Sequence, residues 1–389
     1  MITIIALLCA LPFILVSTTL AIELAFGAAP ARRSAVEQGH QPFSATILIP
    51  AHDEERAIRA TLDQIRAVAG PRFHTLVVAD NCSDATAQIA RAAGVEVIER
   101  HDVDHRGKGF ALAFGRERLA ASPPDCVIIL DADTSPRTGA LEALVSMALD
   151  CGAPAQAAYY IEATESSSAM ARFSAVSFYV KNVVRQLGLA RMGAPAILTG
   201  SGMAFPWPNF AALPLETGHV TEDLMLGVES CLDGHAPRFV PNAEIVGQAS
   251  SDQGTGIQRR RWESGFFDTA RNYVPRLLNT TFERMSARLL WLALHLCTPP
   301  LLLLLALDCI ALVPLAALWL LGESVFPMLA LALAAGLLLV MLGIATTLHG
   351  YRLRLGDLIA VPGYLLWKLA VSLKALVSRE RTWIRTTRE

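Results

Sequence analysis

Two phosphate-binding signatures are missing from this sequence, and each absence removes a class of chemistry. No strand-like run is followed by Gly-x-Gly-x-x-Gly, as a dinucleotide fold requires, and no glycine loop closes with Gly-Lys-Ser/Thr, as a P-loop requires. Gly107-Lys108-Gly109 and Gly200-Ser201-Gly202 both lack the third glycine. The seven cysteines are scattered, odd in number and without a Cys-x-x-Cys pair, which argues against a disulfide framework or a zinc site, and the soluble part is expected in the cytosol. There is no excess of positive charge either. Lys and Arg total 33 against 35 Asp and Glu, so the global basicity of a nucleic-acid binder is missing and no nucleic-acid partner is expected. Internal repeats and low-complexity tracts are absent beyond the leucine-rich runs.

Apolar sequence is abundant. Over 389 residues the hydrophobic fraction is 53% and the mean hydropathy +0.41, above the usual range of soluble proteins. Met1 to Ile22 carries no charged side chain and would reach roughly 33 Å as a helix, enough for the hydrocarbon core. A cleaved signal peptide is disfavoured because the apolar run is too long and no Lys or Arg precedes it. Arg32 and Arg33 follow this run, so the positive-inside rule puts the N-terminus outside and the next segment in the cytoplasm. Leu289 to Leu321 is interrupted by Pro299-Pro300, and predicts a short interfacial helix followed by a span from about Leu301 to Leu321. A third span is expected from about Phe326 to Leu348, with Arg352 and Arg354 on its cytoplasmic side. Leu358 to Val377 mixes Trp367, Lys368 and Lys374 with leucines, and is expected to lie in the cytoplasmic interface. Asp308 falls within the second span, where it is either a paired structural acid or a pore-lining group. The expected division is 1–25 for the first transmembrane helix, 43–285 for a cytoplasmic α/β domain and 286–389 for a C-terminal membrane region.

From Ser44 onward, short β-rich runs alternate with helical stretches, the pattern of a wound, mostly parallel α/β sheet. Strands are expected at Ala45 to Pro50, Leu76 to Ala79, Val95 to Glu99 and Val127 to Leu130, with a helix beginning near Glu54. Open parallel sheets bind ligands beyond the carboxyl ends of their strands, so Asp53, Asp80 and Asp131 should converge there.

Three motifs carry the chemistry. Asp131-Ala132-Asp133 ends an apolar strand, and in extended backbone that spacing turns both carboxylates to one side. A hard divalent cation takes carboxylate and phosphate oxygens while keeping several waters, which suits a nucleotide diphosphate. Strand-end turns also favour Asp for local hydrogen bonds. Thr221-Glu222-Asp223 offers a carboxylate for general-base work, and equally a capping sequence for a helix over Leu224 to Val228. Gln258, Arg261 and Trp262 fall near one helical face, where a guanidinium fork matches phosphate and an indole stacks on a sugar ring. With Arg259 and Arg260 the same stretch also reads as a basic juxtamembrane helix attracting anionic lipid.

In this order, Asp-Ala-Asp, Thr-Glu-Asp and Gln-x-x-Arg-Trp resemble the family 2 glycosyltransferases of the membrane-bound polysaccharide synthase type, relatives of cellulose, chitin and hyaluronan synthases and of bacterial poly-N-acetylglucosamine synthases. Val77 to Asp84 and Arg106 to Gly109 are similar to further family passages. The resemblance implies a GT-A fold over about residues 43 to 285, a divalent metal (Mg or Mn) on Asp133, and a UDP-sugar donor. Asp53, Asp80, Lys108, Asp131, Gln258 and Arg261 would contact the donor; Asp223 would be the general base; Gly200, Ser201, Gly202, Glu222 and Trp262 would face the acceptor or sugar. Lys108 otherwise reads as a solvated loop lysine. The implied activity is inverting transfer to a growing β-linked glycan at the cytoplasmic face, with membrane lipids and an export or accessory subunit as further partners. Alternatives are transfer of one sugar to a lipid-linked acceptor, or a silent sugar-nucleotide-binding scaffold. The family more often has an aromatic and an asparagine where this chain has His52-Asp53-Glu54-Glu55, which sets the Asp53 contact apart. Its membrane part is also short beside cellulose synthases.

Overall fold

A computed structural model describes residues 1–31, 42–162, 168–247, 252–351 and 361–377. The chain runs α1 (Ile2–Gly27), β1 (Ala45–Ala51), α2 (Ile58–Val68), β2 (Phe73–Asp80), α3 (Thr86–Ala92), β3 (Glu96–Arg100), α4 (Lys108–Ala120), β4 (Cys126–Ile129), β5 (Thr134–Pro136), α5 (Ala140–Cys151) and β6 (Ala155–Ile161). It continues through α6 (Ala169–Tyr179), a π-helical turn (Val180–Val184), α7 (Arg185–Arg191), β7 (Met203–Pro206), α8 (Trp207–Ala212), α9 (Glu222–Leu232) and β8 (Arg238–Gly247). The last helices are α10 (Asp252–Arg284), α11 (Ala287–Cys297), α12 (Leu301–Leu320), α13 (Phe326–Leu348) and α14 (Val361–Val377). Two compact units result: one from Ala31–Ala163 and Pro195–Ser251, the other from Met1–Pro30, Thr164–Ala194 and Asp252–Arg379.

The first unit is built on an eight-stranded sheet in the order β3-β2-β1-β4-β7-β6-β8-β5. β3, β2, β1 and β4 are parallel, with Ala45 level with both Phe73 and Cys126. β7 runs antiparallel between β4 and β6. Strands that are buried along most of their length read as continuous apolar runs, as Ile47-Leu48-Ile49 and Val127-Ile128-Ile129 do. Leu48, Val78, Leu112, Ile129, Phe205 and Leu226 form one buried cluster. Each such side chain contributes about 1.5–3 kcal/mol by leaving water.

Two expectations need correction here. The helix after β1 starts at Ile58 rather than near Glu54; Glu54 opens a turn in which its carbonyl accepts from the Ala57 and Ile58 N–H groups, while the N–H groups of Glu54 and Glu55 donate to Thr86 Oγ1 (2.7 Å) and Asp84 Oδ2 (3.1 Å). Asp131 to Asp133 are not extended: β4 ends at Ile129, and the Thr134 N–H donates to Asp131 O at 3.1 Å, closing a turn.

In the second unit, α1, α12 and α13 are long and apolar enough to cross a membrane. α11 precedes α12 as a short apolar helix, and Pro299-Pro300 lie in the break between the two. Leu20 and Leu24 of α1 pack with Leu304 of α12, Leu338 of α13 and Val184 of the π-helical turn. Asp308 is paired inside the unit, accepting from Ser17 Oγ at 2.7 Å. Fully buried Glu23 accepts from Arg185 Nε at 2.6 Å and lies 2.9 Å from His295 Nδ1, which ties α1 to α7 and α11. Ser372 of α14 donates to Glu263 of α10. Arg352 and Arg354 lie outside the described residues.

Candidate active site

The Asp131–Asp133 turn is held in place from beneath. The Asp131 N–H donates to Ser201 Oγ at 3.0 Å, and Ser201 Oγ lies 2.8 Å from Thr134 Oγ1. Ser201 is itself fixed by Gln156, a fully buried side chain on β6. Its amide nitrogen donates to Ser201 O at 3.0 Å and its amide oxygen accepts from the Thr199 N–H at 3.0 Å. Buried polar side chains persist where such bonds satisfy them. Gln156 thus fastens the loop 199–201 to the sheet, and that loop fastens the Asp-Ala-Asp turn. Gly202 takes a φ of 68°, and a Cβ there would meet Ala157 and Ile245 at 2.7 Å, so glycine is required for the loop to enter β7.

Lys108 is the first residue of α4 and stretches into the same turn. Its ammonium stands 2.5 Å from Asp131 Oδ1, 2.5 Å from the Gly200 carbonyl and 4.0 Å from Glu222 Oε1. A lysine at a helix N-terminus opposes the helix dipole. Burial would also lower its pKa, but Asp131, Glu222 and Asp223 together carry it up. Lys108 is therefore held charged as the counter-ion of three carboxylates. Gly200 adopts a φ of 88°, and a Cβ there would lie 3.3 Å from Asp223 Oδ2 and 3.7 Å from Lys108 Nζ. The Asp223 carboxylate and the lysine ammonium thus both crowd the space a side chain at position 200 would fill.

Glu222 and Asp223 open α9, where the helix N-terminus favours carboxylates. Thr221 occupies the N-cap position, yet its side chain makes no capping bond, and its hydroxyl lies 3.5 Å from His219 Nδ1. The motif is thus no ordinary capping box. Burial, together with the neighbouring Asp223 charge, pushes the Glu222 carboxyl up to about 7.

At the carboxyl ends of β1 and β2, Asp53 and Asn81 both take a left-handed φ of 52°, a conformation that Asp and Asn tolerate best among non-glycine residues. Asp53 Oδ1 accepts from the Ser83 N–H at 2.7 Å. Asp80 accepts from Arg100 at 2.7 Å and from Asn81 Nδ2 at 3.0 Å, while Arg100 also donates to Asp102 at 3.0 Å. Burial raises the Asp80 carboxyl above its ordinary value, against the pull of Arg100. Among the described residues, the group of three acidic, thiol or imidazole donors close enough to share one ion is Asp53, Cys82 and Asp84. Burial pushes the Cys82 thiol up to about 11, and Asp84 already accepts from Thr86 and Glu55. That group reads as a loop tie. The oxygen-only pair Asp131 and Asp133 has the donor chemistry that a hard divalent ion takes, and Asp131 Oδ1 is already engaged by the Lys108 ammonium at 2.5 Å.

Gln258, Arg261 and Trp262 lie on α10, in the other compact unit. The side chain of Gln258 lies outside the described residues; Trp262 packs against Phe178 with ring centroids 5.7 Å apart. The structure thus gathers Lys108, Asp131, Gly200, Ser201 and Glu222 by direct contacts, brings the Asp223 carboxylate up to the open side of Gly200, and sets Asp53 and Asp80 on the adjoining strand ends. Sequence reasoning missed Gln156 and Arg100. A lone glutamine in the apolar run Ala155 to Ala158 was the available signal for the first, and the charged end of β3 for the second.

Residues 42–265, more than half of the chain, match the model of a family described as "Glycosyltransferase like family 2". No curated protein sequence matches the chain. Among solved structures, it is similar to the mannosyltransferase PcManGT from Pyrobaculum calidifontis in complex with GDP-Man and Mn2+, at 17% identity and a TM-score of 0.53, covering 93% of this chain and 98% of that one. Another similar structure is glucosyl-3-phosphoglycerate synthase from Mycobacterium tuberculosis in complex with Mn2+, UDP and phosphoglyceric acid, at 19% identity and a TM-score of 0.42, covering 62% of this chain and 84% of that one. The first likeness extends over nearly the whole of both chains and is one of fold.

Proposed function

Because the chain belongs to glycosyltransferase-like family 2 and joins a GT-A-type α/β domain to three membrane-length apolar helices, we propose that it transfers a sugar, with inversion, from a UDP-sugar to a growing β-linked glycan at the cytoplasmic face of a membrane. The observation that carries this reading is the placement of Gly200 beside both Asp223 and the Lys108–Asp131 pair. It supports a reading in which Asp223 serves as base beside a cationic turn that meets the donor.

In that reaction Asp223 accepts the proton of the acceptor hydroxyl as its oxygen bonds to the anomeric carbon. The bond from that carbon to the nucleotide diphosphate breaks, and its electron pair passes to the leaving phosphate oxygen. One displacement converts an α-linked donor into a β-linked product, with no covalent enzyme intermediate. Lys108, held charged, offsets the negative charge that develops on the diphosphate. Asp133, with Asp131 beside it, would hold Mg or Mn, which when bound supplies Lewis-acid charge against the diphosphate. The Mn2+ named with the mannosyltransferase supports that assignment. Gln258 and Arg261 would contribute further phosphate contacts, and Trp262 a stacking surface for the sugar.

A second reading, transfer of one sugar to a lipid acceptor, is favoured by the small membrane complement. Three spanning-length helices among the described residues give little wall for a self-contained polymer channel. The mannosyltransferase likeness adds GDP-mannose to the donors worth testing. The deciding experiment incubates purified protein with Mg or Mn and a panel of UDP-sugars and GDP-mannose, following nucleotide release and sizing the labelled product. A long glycan supports processive synthesis. A single-sugar lipid product selects the second reading, and transfer from no nucleotide sugar rejects both.

A further inference from the structure

The junction of α10 and α11 spends conformational energy to display apolar side chains. α10 ends at Arg284 and the next residue, Met285, takes a left-handed φ of 47°. The Ser286 N–H then donates back to Thr281 O at 3.1 Å, the six-to-one bond that closes a Schellman turn. Ser286 at once caps α11, accepting from the Leu289 N–H at 3.4 Å. Such a turn ordinarily carries glycine at the left-handed position, since any Cβ there is strained. Here the position holds a methionine that is 86% exposed, next to a Phe282 that is 74% exposed, with exposed Leu290 on the following turn. Hydrogen bonds on both sides fix the elbow, so these side chains project from a defined turn.

The surroundings identify what covers them. From Arg276 to Leu290 the sequence carries three arginines (Arg276, Arg284 and Arg288) against one glutamate, Glu283. Arg284 and Arg288 are themselves exposed beside the apolar trio. α11 runs from the elbow to His295, whose Nδ1 lies 2.9 Å from Glu23, one turn from the end of α1. Two residues beyond α11, Pro299-Pro300 lead into α12. α11 is thereby tied to one end of a membrane-length helix and leads directly into a second. Apolar side chains flanked by arginines, at the start of a short apolar helix whose other end meets two membrane-length helices, match the boundary of an anionic bilayer, with acyl chains for the former and phosphates for the latter.

We propose that the α10–α11 elbow is a lipid-inserting wedge, with Phe282, Met285 and Leu290 entering the acyl boundary of an anionic leaflet and Arg284 and Arg288 on its headgroup phosphates. The proposal rests on the membrane reading of α1, α12 and α13, and adds a surface outside the spans through which lipid composition bears on the enzyme.

The test places an environment-sensitive fluorescent amino acid at position 285 of the full chain, reconstituted in nanodiscs of phosphatidylcholine with or without phosphatidylglycerol. Two reference probes replace Leu333, an exposed residue of α13, and Glu117, an exposed residue of α4. The wedge predicts blue-shifted emission at 285, and quenching by brominated acyl chains severalfold stronger than by aqueous iodide. It also predicts that phosphatidylglycerol deepens this contrast and that the Arg284→Gln/Arg288→Gln variant removes the deepening. Iodide quenching at 285 as strong as at 117, while 333 responds to brominated lipid, overturns the wedge and leaves the membrane reading standing. Absence of lipid quenching at both 285 and 333 overturns the membrane reading itself. A probe at 285 shielded from both quenchers means that protein covers the elbow, and likewise rejects the wedge.

Discussion

The Lys108 ammonium stands 2.5 Å from the main-chain oxygen of Gly200 and 2.5 Å from Asp131 Oδ1, so one side chain spans the Asp-Ala-Asp turn and the loop that borders Asp223. Removing it leaves a carboxylate and a carbonyl facing each other without their donor. A hydrogen bond to a charged group contributes about 1.5–3 kcal/mol, so Lys108→Met is expected to lower kcat/KM by roughly ten- to a hundredfold, and Lys108→Arg to recover part of it. Steady-state kinetics with the active donor decides this. Unchanged kcat/KM in Lys108→Met would return Lys108 to the role of a loop lysine.

In the proposed reaction Asp223 is the carboxylate that takes the acceptor proton. Asp223→Asn keeps the shape and removes the base, so transfer should fall by about 10²–10⁴-fold, the usual contribution of a positioned general base. Binding of the nucleotide sugar, followed by calorimetry, should persist. Turnover equal to wild type in the variant would remove the assignment.

The proposed metal site at Asp133, with Asp131 beside it, makes a prediction about metal dependence. Excess chelator is expected to stop transfer, and added Mg or Mn to restore it. Asp133→Ala should weaken metal-supported nucleotide binding as well as activity. Full activity in excess chelator sinks the metal role.

Glu222 yields a pH prediction with a definite sign. Burial pushes its carboxyl in the folded protein up from 4.5 to about 7, so between those values the native state holds more of a proton than the unfolded chain does. Its contribution to stability therefore declines as pH rises through that window and levels off above it. In Glu222→Gln the side chain cannot ionise. The variant's Tm should match the wild type near pH 5 and exceed it near pH 8. A Tm difference that stays constant with pH would show that Glu222 does not titrate in this window.

The sequence was most legible where a single physical signal dominates. Pro299-Pro300 and the leucine-rich runs located α12 and α13 almost to the residue, since membrane length and helix breaking are local properties. The apolar runs that became β1 and β4 were equally plain. The Asp-Ala-Asp turn was misjudged as extended because its conformation is set by Ser201 and Gln156, residues brought in by neighbouring strands. The segment Thr164–Ala194 gave no membrane-type signal at all. It groups with the apolar helices through buried polar residues such as Arg185, whose partner Glu23 lies far away in sequence.

That last pair supports a stability prediction separate from catalysis. Glu23 is fully buried and is held by Arg185 at 2.6 Å and His295 at 2.9 Å, in a unit where water cannot replace a lost partner. Arg185→Met leaves the Glu23 charge without its guanidinium, and breaking a buried pair in this way costs about 3–5 kcal/mol. Glu23→Gln alone strands the arginine and should be similarly harmful. The double variant Glu23→Gln/Arg185→Met removes both charges together, and should recover most of the loss because neither desolvation penalty remains uncompensated. Thermal unfolding of the four proteins in one detergent measures the coupling. Additive losses in the double variant would show that the two side chains act independently and that the pair does not hold α7 to α1.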